Sequence, residues 1–72
     1  MDEKDVTLGE NARAWCRKLG VLEDDIRAAR VSGAETPGVE FIAIYSSLPD
    51  GTRVRLKCPH DRPHFVQSWR PI

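Results

Sequence analysis

The sequence predicts an α+β fold in which two N-terminal helices pack on one face of an antiparallel three-stranded meander sheet. Three observations carry this. Before residue 33 the apolar residues recur at helical spacing (Leu8, Ala12, Trp15, Leu19, then Leu22, Ile26, Ala29), and from residue 52 they alternate strictly with polar ones. Between these regions a Pro49-Asp50-Gly51 turn separates two runs of strand-forming residues. Each helix has one apolar stripe and the strand over 52–58 has one apolar face, so each covers the other. Trp15, Leu19, Ile26, Val54 and Leu56 are the expected core.

Residues 1–6 show no apolar periodicity and read as a solvated leader. Thr7-Leu8-Gly9-Glu10 has the form of a capping box, in which the Thr7 hydroxyl accepts from the Glu10 N–H and the Glu10 carboxylate from the Thr7 N–H. The first helix is therefore expected from about residue 8, with Gly20 ending it as a left-handed cap. A second helix over 23–32 opens with Glu23, Asp24 and Asp25 at its positive end and closes near Gly33. Its stripe of Leu22, Ile26, Ala29 and Val31 is short, and isolated helices under about 12 residues are marginal in water, so it must dock on the strands.

Residues 39–46 are almost continuously apolar, which suggests burial on both faces and predicts a central or well-covered strand. Leu48-Pro49-Asp50-Gly51 turns the chain back, because proline fixes φ and glycine accepts the left-handed position. In the next strand, over 52–58, Thr52, Val54, Leu56 and Cys58 point one way and Arg53, Arg55 and Lys57 the other. Pro59 and Pro63 bracket a loop, and residues 65–70 form a last strand before Pro71.

A chain of 72 residues is expected to form a single domain, 1–72, since chains this short bury only about 60% of their unfolded surface. With 40% hydrophobic and 31% charged residues, the mixture excludes a disordered tail. No apolar run approaches the about 20 residues of a membrane span, and the N-terminus lacks a basic segment followed by an apolar one. Two cysteines, Cys16 and Cys58, fall short of a secreted disulfide framework, so the expected location is cytoplasmic. Eleven bases balance eleven acids, but unevenly: residues 1–40 hold nine acids and six bases, residues 41–72 two acids and five bases. A site for RNA or for an acidic protein partner belongs in the second half.

Asn11-Ala12 on a first helix, Leu19-Gly20-Val21 with Glu23-Asp24-Asp25-Ile26 opening a second, then a strand, Pro49-Asp50-Gly51, another strand and a closing Val66-Gln67-Ser68-Trp69-Arg70-Pro71 form an ordered pattern. From about Thr7 to Pro71 it resembles an uncharacterised family of small prokaryotic domains related to RelE-like and BrnT-like toxins, within the barnase–EndoU–colicin–RelE ribonuclease superfold. The resemblance implies an RNA-binding or RNA-cleaving domain, of the kind encoded beside an antitoxin. Two departures stand against it. Members of that family usually carry a histidine before the alanine of the first helix, where this chain has Asn11, which cannot exchange a proton near neutrality. RNA-cleaving relatives also tend to be strongly basic, whereas this chain is neutral.

Metal-independent RNA cleavage needs a base, an acid and fixed positive charge at the phosphate. His60 and His64 are the only side chains whose ordinary pKa of about 6.5 lies near neutrality, and are the candidate catalytic groups. Asp61 and Arg62 between them would orient an imidazole and hold a phosphate. The competing reading is an exposed turn with solvated histidines. Arg53, Arg55, Lys57, Arg62 and Arg70 are the candidate basic contacts to RNA or an acidic partner. The alternative is an exposed sheet face that uses charge to avoid aggregation. Trp69, beside Arg70, is the aromatic expected to be partly exposed for stacking on a base, with Tyr45 and Phe65 as further candidates and the core as the competing role for all. Cys58, His60 and His64 do not make a zinc site by spacing, since only the His60–His64 interval fits, and no metal or cofactor is expected. Cys16 lies beside the apolar helix stripe and reads as a buried thiol.

The opposing functional class is a non-catalytic inhibitor or adaptor of bacterial or phage origin, argued from the neutral charge, the small size and the missing helix histidine.

Overall fold

Alternation in one strand sets the architecture: Val54, Leu56 and Cys58 are buried while Arg53 and Lys57 are exposed. The computed structural model describes residues 6–72. They form an α+β structure with strand β1 (Thr7–Leu8), helices α1 (Glu10–Leu19) and α2 (Glu23–Arg27), and strands β2 (Arg30–Glu35), β3 (Phe41–Ser47), β4 (Arg53–Pro59), β5 (Phe65–Val66) and β6 (Ser68–Pro71). The main sheet has the order β2-β3-β4-β6, all neighbours antiparallel, and β1 and β5 form a separate parallel pair.

The helices cover the Val54 face. Ala12 and Cys16 of α1 and Ile26 of α2 join Leu8, Leu48, Val54, Leu56, Cys58, Val66 and Trp69 in one buried cluster, with Trp15, Val21 and Ile44 packed against it. The Trp69 indole N–H donates to the Ala12 carbonyl at 3.0 Å, tying β6 to α1 through a buried bond. The hairpin between β3 and β4 forms as its residues predict. Gly51 has φ 93°, its N–H donates to the Leu48 carbonyl at 2.9 Å, and the Asp50 carboxylate accepts the Thr52 N–H at 2.9 Å. Gly20 ends α1 at φ 70°, a left-handed conformation that a side chain would strain.

Five expectations are corrected. The sheet has four strands rather than three, because residues 30–32 leave the second helix and, with 33–35, pair with β3; Val31, Ser32 and Gly33 are poor helix formers, and the open edge of β3 offers them a ladder. The last strand is two pieces, since Gln67 donates its N–H to the Lys57 carbonyl at 2.8 Å and lets the chain pass from β1 to β4. The Thr7 capping box does not form: Thr7 pairs with Phe65, its N–H donates to the His64 carbonyl, and Gly9 takes the N-cap position without a side-chain bond. Leu19 is 41% exposed, as the buried stripe of α1 runs through Ala12 and Cys16 instead. Of the proposed leader, Val6 packs against the core, and residues 1–5 lie outside the described residues.

Candidate functional site

The face of the sheet opposite Val54 collects the cations. Cross-strand register sets Arg55 between Tyr45 of β3 and Arg70 of β6, and Lys57 between Ala43 and Ser68. Arg53, opposite Ser47, continues the row. Two like charges placed directly across an antiparallel pair destabilise the sheet, and among the described residues neither Arg55, Lys57 nor Arg70 makes an ion pair. The acid on this face, Glu35, is engaged by the Tyr45 hydroxyl at 2.6 Å, and that bond is the main cause of the raised Tyr45 pKa. The Arg55 Nε is buried without a hydrogen-bond partner.

These cations open onto a groove of about 590 Å³, lined by Phe41, Ala43, Arg55, Lys57, Ser68 and Arg70 together with Trp15, Pro37, Gly38, Ile42 and Trp69. The Lys57 ammonium lies 4.2 Å from the centre of the Phe41 ring, and the Arg55 guanidinium 6.0 Å from that of Tyr45. The Phe41 ring with Lys57 over it, in a groove shared with Arg55 and Arg70, can hold an anion beside a flat ring.

The structure thus brings together Arg55, Lys57 and Arg70, places Arg53 on the same face beyond the groove, and leaves Arg62 apart. Trp69 also lines the groove, but at 2% exposure and with its N–H turned to α1 it is a core residue, correcting the expected partial exposure. Burial wins because the indole fills the seam between β6 and α1. Phe41, missed in the sequence as a site residue, supplies a half-buried ring to the groove. The odd positions Phe41, Ala43 and Tyr45 share a face with Arg55 and Lys57, and that parity was the available signal.

His64 sits in a separate shallow hollow of about 260 Å³ with Thr7, Asp61, Arg62, Pro63 and Phe65, where the Arg62 guanidinium stacks 4.4 Å from the Phe65 ring centre. His60 lies outside both hollows, held through its backbone N–H to the Glu40 carbonyl at 2.8 Å. Among the described residues neither imidazole has a hydrogen-bond partner, and Asp61 orients neither. Cys58 faces the core, where burial pushes its thiol up to about 11, and Cys16 is raised for the same first reason. Among the described residues no group of three histidine, cysteine or acidic side chains is placed to hold a metal ion, and no helix is long and apolar enough to cross a membrane. No family model, curated protein or solved structure matches the chain.

Proposed function

We propose that this chain is a RelE-like toxin-fold domain that binds single-stranded RNA along the basic face of its sheet. One observation carries the reading: Arg55 and Arg70 oppose each other without a neutralising acid, on the wall of a groove that also presents Lys57 and the Phe41 ring. A repulsion that destabilises the free protein becomes attraction once a phosphate lies between the two guanidinium groups. The helix-then-sheet order supports the toxin-fold assignment, and cleavage within this reading falls to His60 and His64.

A second reading is favoured by the position of those histidines. Neither lines the cationic groove, so a non-catalytic inhibitor or adaptor would use the same groove for an acidic protein segment. Both classes are tested together. Fluorescence anisotropy with a short labelled single-stranded RNA should show binding that weakens about 20-fold between about 50 and 200 mM salt, as three phosphate contacts on a single strand imply. Phe41→Ala should weaken it about tenfold further by removing a stacking surface. Arg55→Ala should flatten the salt dependence by about one phosphate. RNA binding that ignores salt, or no binding at all, rejects the RNA reading. Cleavage lost in a folded His60→Gln, His64→Gln variant assigns catalysis to that loop, whereas cleavage unchanged removes both histidines.

A further inference from the structure

The outer side of β2 is an open edge. It ends the sheet, and among the described residues no backbone group of Arg30–Glu35 bonds to anything outside its ladder with β3. Open edges recruit other strands unless something blocks them, and of the usual blocks this edge has one bulge and the charges of Arg30 and Glu35, with no proline, lysine or covering helix. What lies on this edge is a short sequence with opposite charges at its two ends: Arg30-Val31-Ser32-Gly33-Ala34-Glu35.

We propose that β2 pairs antiparallel with β2 of a second copy of this chain, about a two-fold axis between Ser32 and Gly33. That register sets Arg30 opposite Glu35 of the second copy, and Val31 opposite its Ala34. In a regular strand it would fail, because residues five apart face opposite sides and opposed residues must share a side. The bulge between Val31 and Gly33 removes the obstacle. With the extra residue, Arg30, Gly33 and Glu35 oppose Ser47, Tyr45 and Ala43 on one face, while Val31 and Ala34 oppose Ser46 and Ile44 on the other.

Hydrogen-bond direction agrees independently. Leu48 donates to the Thr52 carbonyl and the Glu40 carbonyl accepts from His60, so the even residues of β3 turn toward β4 and its odd residues toward β2. Arg30, Gly33 and Glu35 therefore bond inward, leaving the N–H and C=O groups of Val31 and Ala34 outward. Those are the two residues that the proposed register sets against each other, each pair exchanging both bonds. The charged residues fall in the closer, non-hydrogen-bonded pairs, where side chains meet best. Arg30 makes no ion pair among the described residues, and Val31, 60% exposed, lies against an apolar neighbour in the pair.

The product is an isologous dimer with one continuous eight-stranded sheet. Opposed residues share a face, so both cationic grooves lie on the same side of it. A single strand-to-strand contact is small, and the association is reversible and concentration-dependent.

Sedimentation velocity over a series of concentrations, up to millimolar, tests this. The wild-type chain should shift from monomer to dimer. Ala34→Pro removes an outward N–H without touching the β3 ladder and should stay monomeric, with an unchanged far-ultraviolet spectrum. Arg30→Glu and Glu35→Arg should each weaken the dimer about tenfold through like-charge pairs, and the Arg30→Glu, Glu35→Arg double variant should return to within about threefold of wild type. A monomer at every concentration overturns the proposal. So does a dimer indifferent to Ala34→Pro, or a charge reversal that the second substitution does not rescue.

Discussion

Trp69→Phe separates a structural from a ligand-facing role for the residue whose exposure the sequence misjudged. The phenyl ring loses the buried indole donor to the Ala12 carbonyl, a bond of 3.0 Å in a site only 2% exposed. A net hydrogen bond contributes about 1 kcal/mol. Two fewer buried ring carbons remove about 1.6 kcal/mol more, at about 0.8 each, before any residual cavity. The sum is about 2–3 kcal/mol, against a total stability of about 4–11 kcal/mol for a domain of this length. Since about 1 kcal/mol shifts Tm by about 4–8 °C at this size, the variant should melt roughly 10–20 °C lower. Thermal unfolding followed by far-ultraviolet circular dichroism measures this, with Trp15→Phe as the comparison. Trp15 is only partly buried, beside the Lys18 ammonium 4.8 Å from its ring centre, and its loss should lower Tm by a few degrees at most. A Trp69→Phe variant that melts within about 5 °C of wild type, or no lower than Trp15→Phe, would refute the argument.

Three further expectations follow from individual sites. Cys58, with its thiol held up at about 11 by burial, should resist a thiol reagent in the folded protein and react once denatured. Its folded pKa lies above the unfolded 9.0, so its stability contribution is whole below pH 9 and is lost as pH rises toward 11. Over that range wild type should lose on the order of 2–3 kcal/mol more than Cys58→Ala, which keeps only the smaller loss from Cys16, as urea titrations at each pH will show. The Asp50 carboxyl is lowered from 3.8, first by the Thr52 backbone N–H, and this stabilisation is present above that value and lost as pH falls below it; an Asp50→Ala variant should lack that part of the acid limb in Tm against pH. Gly9→Ala would place a methyl 2.8 Å from the Phe65 ring and should destabilise by about 1–3 kcal/mol, whereas Gly33→Ala meets open space and should stay within about 0.5 kcal/mol in the same denaturation assay.

Much of the fold was legible where local chemistry and tertiary demand agree. The Pro49-Asp50-Gly51 turn, the left-handed Gly20 and the alternation of β4 each have one physical solution, and each is present. The errors share a cause. Residues 30–32 and 7–8 follow helix-like signals, but they become strands because distant partners, β3 and β5, offer them hydrogen bonds that no local pattern announces. The cationic row was readable from parity within β4. That Arg70 joins it depends on the β4–β6 register, and the pocket itself depends on the Pro37-Gly38 loop, neither of which a single strand reveals. Trp69 was misjudged because its neighbours in sequence are polar, while the group that buries it, Ala12, is 57 residues away.

That separation also sets the order in which the molecule can assemble. The β3–β4 hairpin is local and can close within microseconds, but α1 is only ten residues long and marginal on its own. Its buried face is completed by Trp69 and by Val66, which stands next to β1, so α1 gains protection only after β5 and β6 have found their places. In refolding, the helices therefore stay unprotected until β5 and β6 have docked. Pulsed hydrogen exchange during refolding should find the α1 amides protected late, together with those of β6, and well after the hairpin.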